Sequence, residues 1–362
     1  MLPGINTNAM PERLHSDGVF LCPLPLNDGD RIAMGHGSGG RLSANLLRDL
    51  FLPLFSNPVL DRLDDQAVVE IGGARLAFTT DSFVVRPLFF PGGDIGSLAV
   101  HGTINDLAMG GAPPSYLSAA FIIEEGFPME TLRRIAASMG SAAAAAGVAI
   151  VTGDTKVVER GKGDGVFINT TGIGLVPEGV HLSANRALAG DVVILSGSIG
   201  DHGMAIMSSR AGLEFETTIM SDSAPLHILA AAMLKASRGI RCLRDPTRGG
   251  LSASLNEIAG QSGVSIEVEE KRIPVGVQVR AACELLGLDP LYVANEGKLV
   301  AVVAPECAED LLAAMLLNPA GRNAAIIGVV GNETAGLVTV RTAFGSSRIV
   351  DLLPGEQLPR IC

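Results

Sequence analysis

Leu42, Leu46, Leu47, Leu50 and Leu54 recur at the three-to-four-residue interval of one helix face, up to Pro53 and Pro58. That spacing predicts an amphipathic helix over 41–55. Residues 67–71, 76–80, 116–123 and 165–176 are rich in β-formers and bounded by Gly, Pro or Asp, so they read as strands. Between them 95–109 and 129–146 are helical by pattern and alanine content, and the alanine run 142–146 suits close packing of a helix on a sheet.

A second unit opens near Asp191 with a buried-strand pattern, VVILSG at 192–197. Helices are expected at 203–210, 225–237, 250–263 and 306–317, with strands at 264–268 and 299–303. The whole reads as two α+β domains, 31–177 and 188–344. A leader over 1–30 precedes them, and an irregular, mobile tail over 345–362 follows.

Composition narrows the field. A chain of 362 residues with 47% hydrophobic and 18% charged residues can bury a large core without disulfides. Its net charge of -11 argues against nucleic acid and anionic membrane as partners. Apolar stretches such as 142–151 are too short to span a bilayer, and the N-terminus lacks a basic cluster followed by an apolar run, so a cytoplasmic protein is expected. The cysteines Cys22, Cys242, Cys283, Cys307 and Cys362 are scattered, with no C-x-x-C pair, which speaks against a disulfide framework or structural zinc.

GHGSGG at 35–40 brings Gly37, Gly39 and Gly40 to the start of the first helix, where a glycine loop can close over a phosphate; a plain turn stays open beside that reading. A dinucleotide fingerprint would need a longer preceding strand than 31–34, and no G-x-x-x-x-G-K-[ST] occurs.

Acidic residues carry more information. Asp64 and Asp65 precede a strand, Asp81 ends one, Asn105 and Asp106 lie on a helix, and Asp154 and Thr155 sit in VTGDTK. Each adjoins an apolar element, where an ionised carboxylate is costly unless paired or metal-bound, and hard oxygen ligands beside phosphate are what Mg²⁺ takes. The set points to a magnesium–nucleotide site. RDPTRGGL adds Asp245, Thr247, Arg248, Gly249 and Gly250 at a helix start suited to phosphate, although Asp245 or Thr247 could serve only as a cap. Lys156 is a candidate phosphate-neutralising cation and Glu296 in ANEGK a candidate base. His101 falls one helical turn before Asn105 and reads as a core histidine, while Asp201 and His202 read as a structural or phosphate-adjacent turn.

Cys362 is the last residue. Nearby Arg360 favours its thiolate and the terminal carboxylate opposes it. Fully extended, the tail reaches roughly 60 Å.

HGSGG, TTDSFVV, FPGGDIG, TINDLAMGGAP, EEG, GDTKVV, GDHGMAI, DPTRGG, ANEG and terminal PRIC, read in order, resemble the carbamoyl dehydratases of hydrogenase maturation, within the PurM-like superfamily of aminoimidazole ribonucleotide synthetase. The resemblance implies a two-domain PurM-like α+β fold, with an N-terminal sheet that forms a barrel in a homodimer, a C-terminal α/β sandwich and a flexible tail. It implies ATP and Mg²⁺ as cofactors, the HypF carbamoyltransferase as donor to Cys362, and the HypC–HypD complex as acceptor of the cyano group. On that reading Cys362 is the covalent carrier, Glu296 a base and Lys156 a cation for the transferring phosphoryl group or the amide. The metal and nucleotide shell comprises Asp64, Asp65, Asp81, Asn105, Asp106, Asp154 and Asp245. Selenophosphate synthetase and thiamine-phosphate kinase share such a shell, but neither explains PRIC. A non-catalytic carrier of Cys362 is the alternative outside the enzymes.

Overall fold

In the computed structural model, residues 31–211, 219–355, 358 and 360–362 are described; the predicted leader and Cys22 lie outside them. Residues 34–362 form one unit.

After a 3-10 turn at Met34–Gly37, the predicted first helix forms as α1 (Arg41–Leu46), a π-helical turn (Leu47–Phe51) and α2 (Leu52–Phe55). Its leucine stripe does not enter the core. Leu50, Leu54 and Phe55 are exposed, and Leu46, Leu47 and the partly exposed Phe51 border a polar cleft.

β1 (Ala67–Ile71) and β2 (Ala74–Phe83) follow, then a small hairpin of β3 (Phe89–Phe90) and β4 (Gly93–Asp94). Helix α3 (Ile95–Met109) begins at Asp94, whose carboxylate accepts from the Gly96 and Ser97 N–H groups while the Ser97 hydroxyl pairs back with the Asp94 backbone. This capping box satisfies donors that a helix start leaves open. α3 is buried on nearly every side, as expected of a helix apolar all round. It packs on β2, on α4 (Met129–Ala145) and on β7 (Val166–Leu175). The first sheet runs β1-β2-β7-β5-β6, with β5 at Pro114–Glu124 and β6 at Ala149–Val158. β6 lies parallel to β5 at the edge, Ile122 opposite Lys156. It is exposed along nearly its whole length, so no buried alternation marked it as a strand in the sequence. The sheet face away from α3 carries Phe78, Tyr116, Ile122, Ile173 and Leu175, all exposed.

The second sheet, β14-β13-β10-β12-β8-β11-β9, comprises β8 (Val192–Leu195), β9 (Ile240–Arg244), β10 (Ser265–Glu269), β11 (Val300–Val303), β12 (Ala325–Gly331), β13 (Val338–Arg341) and β14 (Ser347–Ile349). β8 and β11 are wholly or almost wholly buried, matching their unbroken apolar runs. The helices of this half are α5 (Asp201–Ala211), α6 (His227–Ala236), α7 (Gly250–Ser262), α8 (Val277–Leu286) and α9 (Ala308–Leu316); α7 packs on β10 and β13, α9 on β8 and β12, and α5 on α8 and β3. The expected irregular tail is corrected in two places. Ser347–Ile349 forms β14 on β13, and the last residues are docked rather than extended into solvent. Among the described residues no helix is long and apolar enough to cross a membrane.

Candidate active site

The site lies where α3, the 35–40 loop and the start of α7 meet. Gly39 and Gly249 both have positive φ, at 75° and 77°, and a Cβ on Gly39 would fall 2.7 Å from the Arg248 carbonyl oxygen. Only glycines allow the loop to lie this close to the DPTRGG turn. Gly40 and Gly250 are also used for close packing, against the Leu353 carbonyl and against the Leu291 and Val293 carbonyls.

Beneath the loop is a cleft of about 450 Å³ lined by Gly37, Gly39, Asp65, Asp81, Asp106, Asp245, Thr247 and Arg248, among others. Burial raises the carboxyl pKa of Asp81, Asp106 and Asp245, and neighbouring carboxylates raise those of Asp106 and Asp245 further. Burial pushes Asp65 up to about 6, against the pull of Arg244. Arg244 pairs with Asp65 at 3.3 Å and with Glu257 at 2.6 Å. The Thr79 hydroxyl donates to Asp106 at 2.6 Å. A cluster of buried carboxylates at the foot of a phosphate-sized cleft suits a hard cation. Among the described residues no three acidic, histidine or cysteine side chains are grouped so as to hold a metal ion by themselves.

Not every expected shell residue faces the cleft. Asp64 accepts from the Ser183 hydroxyl and the Ala184 N–H, tying β1's approach to the 183–184 turn. Asn105 donates to the Ala224 and Glu296 carbonyls, both at 3.1 Å, and accepts from the Leu226 N–H at 2.8 Å. Both of its N–H bonds are thus committed to the backbone, and it braces Glu296 instead of facing the cleft. His101 joins this brace through Ser223 at 3.0 Å. Asp154, Thr155 and Lys156 lie on exposed β6, where Lys156 pairs with Asp154 at 3.0 Å. None of the three lines the cleft.

Cys362 lies in a smaller cavity lined by Ser82, Val84, Tyr292 and Ala294, and Arg248 and Gly37 border both cavities. Burial pushes the thiol pKa up and Arg248 pulls it down. Cys362 is in turn the strongest influence on Arg248, raising its pKa. Arg360 lines the same cavity, as its place in the sequence suggests, but it pairs with Asp164, and the cation that acts on the thiol is Arg248.

Glu296 is buried, with Oε1 unpartnered among the described residues. Burial, then Asp81 and Asp245, hold its carboxyl well above the usual range. Its backbone N–H donates to Asp222 at 3.1 Å, and Asp222 pairs with Lys298 at 2.9 Å. Burial opposes the Asp222 charge, yet Lys298 and His202 outweigh it and keep its pKa low. Asn295, beside Glu296, donates to the Pro246 carbonyl at 2.9 Å and accepts from Gly200 N–H at 2.7 Å, fixing the DPTRGG turn. Asn295, Asp222 and Lys298 act through backbone neighbours distant in sequence, a role that spacing does not reveal.

Two family models match the chain: AIR synthase related protein, N-terminal domain, over residues 63–176, and its C-terminal domain over 189–341. Together with the paired sheets and the acidic cleft, they define a protein of the PurM-like class. Carbamoyl dehydratase HypE of Azotobacter vinelandii is 61% identical over 339 residues, covering 94% of this chain and 99% of that relative. A crystal structure of HypE in complex with ATP superposes with a TM-score of 0.78 at 52% identity, covering 91% of this chain and 99% of that one. HypE in a HypE–HypF complex gives 0.81 at 51%, covering 85% and 99%. The chain belongs to the HypE family of carbamoyl dehydratases.

Proposed function

We propose that the protein dehydrates an S-carboxamide on its own Cys362 to a thiocyanate, coupled to ATP, and so supplies the cyano ligand of iron in hydrogenase maturation. The observation that carries this reading is the position of the terminal Cys362, across Arg248 from an acidic, phosphate-sized cleft.

A primary amide becomes a nitrile only if its oxygen leaves and two N–H protons are removed. Transfer of the ATP γ-phosphoryl group to the carboxamide oxygen makes that oxygen part of a phosphate leaving group. The products are thiocyanate, ADP, phosphate and a proton. The 35–40 loop and the Thr247–Gly250 turn suit the phosphates, and Asp65, Asp81, Asp106 and Asp245 would hold Mg²⁺, which neutralises phosphate charge when bound. Arg248 faces both cavities and can steady the oxygen as it takes the phosphoryl group. Glu296, a buried carboxyl with a raised pKa and an unpartnered oxygen, suits an N–H base.

The donor on this reading is a HypF-type carbamoyltransferase, as the HypE–HypF structure of a relative suggests, and the acceptor a HypC–HypD complex in the cytoplasm. The exposed apolar sheet face favours a homodimer. Lys156, Asp154 and Thr155 would then serve the site from the dimer interface.

Intact-mass measurement after exposure to the carbamoyltransferase, carbamoyl phosphate and ATP tests the reading. A carbamoyl increment on Cys362 that loses one water, and is absent in Cys362→Ala, is expected. An adduct that persists with ATP present would reduce the protein to a carrier.

A further inference from the structure

The end of the chain is held by more contacts than a tethered thiol requires. The Val84 N–H donates to a terminal carboxylate oxygen of Cys362 at 3.0 Å, and the Arg86 N–H donates to the Arg360 carbonyl at 3.2 Å. The last three residues thus lie along the chain just after β2. Arg360 Nε returns a bond to the Val84 carbonyl at 3.0 Å, and Arg210 donates to the Arg360 carbonyl. His202 Nε2 donates to the Ile361 carbonyl at 2.8 Å, and its Nδ1 pairs with the Ser221 hydroxyl at 2.8 Å. Phe90 meets the His202 ring edge-on at a centroid distance of 5.5 Å. Ile361 itself is buried in the core of the first domain.

Asp164, between β6 and β7, closes the arrangement. One carboxylate oxygen takes Arg86 at 2.5 Å and the other takes Arg360. Arg360 adopts a left-handed backbone at φ 54°, a conformation a non-glycine residue keeps only where its surroundings over-determine it. Here the Arg86 N–H, Arg210, the Val84 carbonyl and Asp164 all act on that one residue.

We propose that Asp164 and His202 are positioning residues that latch the terminal segment and hold Cys362 beside Arg248, and that the Asp164–Arg360 ion pair must open before the thiol can meet an external acyl donor. This rests on the reaction proposed above. The logic of the placement is chemical. Loading needs the thiol outside and dehydration needs it inside, so the contact that holds it must be strong enough to register the reacting group and weak enough to release it. Asp164 and Arg360 keep side-chain exposures of 37% and 24%, so water screens their pairing and their ion pair can open without stranding a dry charge. His202 and Ile361 are buried and supply register.

The test is the rate of iodoacetamide alkylation at Cys362, read by peptide mass spectrometry, with buried Cys242 as internal control. Asp164→Asn is expected to raise the rate about three- to tenfold. Arg360→Met breaks the same pair from the tail side, together with its bond to the Val84 carbonyl, and is expected to raise the rate at least as much. The double variant should fall clearly short of the product of the singles, because the shared Asp164–Arg360 pair is lost only once, and Asp164→Glu should stay near the wild-type rate. Unchanged rates, a double effect equal to the product of the singles, or a parallel rise at Cys242 would overturn the latch. The readout uses neither ATP nor a carbamoyl group, so its failure is distinct from failure of the dehydratase reading.

Discussion

The side-chain amide of Asn105 donates to the Glu296 carbonyl at 3.1 Å, joining a helix of the first domain to a loop of the second. The same amide group holds Ala224 and Leu226, so one residue fixes the loop that aims the buried carboxyl. Asn105→Ala takes the side-chain partner from the Ala224 carbonyl and the Leu226 N–H, and leaves the Glu296 carbonyl only the Ala224 N–H at 3.4 Å. It is expected to cost about 2–4 kcal/mol by denaturant unfolding and to slow dehydration while Cys362 still accepts a carbamoyl group. Wild-type stability and turnover would remove Asn105 from the account.

Asp222 and Lys298 form a buried pair from which the Glu296 and Gly297 N–H groups also take a hydrogen-bond acceptor. Lys298→Met strands the Asp222 charge and is expected to destabilise the protein by about 3–5 kcal/mol. Replacing both, as Asp222→Asn with Lys298→Met, should recover part of that loss in the same unfolding measurement.

The pH dependence of stability follows from the cleft. Burial places the folded pKa values of Asp81, Asp106, Asp245 and Glu296 above ordinary carboxylate values and that of Asp65 at about 6. Groups raised in this way stabilise the fold fully below their unfolded pKa of about 4 and lose that contribution as pH rises through their folded values. The Tm of the metal-free protein should therefore decline from mildly acidic toward neutral pH, with a shallower decline in Asp106→Asn. Mg²⁺ should raise Tm more at neutral than at acidic pH. A magnesium effect independent of pH would contradict a carboxylate-bound cation.

Ile122 is exposed on the uncovered sheet face, opposite Lys156 on β6. If a second copy covers this face, Ile122→Asp should shift sedimentation from dimer to monomer, since a buried unpaired carboxylate is costly. An unchanged dimer would locate the interface elsewhere.

Much of this molecule is legible along the chain. Unbroken or helical apolar periodicity marks α3, α7, β8 and β11 because each is buried along most of its length, and α4 because Ile135, Met139, Ala142 and Ala143 form one buried stripe. β6 escapes notice because an exposed edge strand has no buried face, and β14 because three residues are too few to show a period. At the site, carboxylates beside apolar elements single out Asp65, Asp81, Asp106 and Asp245, and these four line one cleft. Spacing cannot separate a side chain that faces the cleft from one that binds backbone behind it, as Asn105 and Asp64 do. Nor can it pair Cys362 with Arg248, since that neighbourhood exists only once the tail has folded back.

In the proposed reaction the oxygen lost from the Cys362 carboxamide leaves as phosphate. Loading Cys362 with a carbamoyl group carrying heavy oxygen, adding unlabelled ATP for a single turnover, and measuring the mass of the inorganic phosphate tests it most directly. The label is expected in phosphate, in step with thiocyanate formation. Label recovered in water, with phosphate unlabelled, would contradict it.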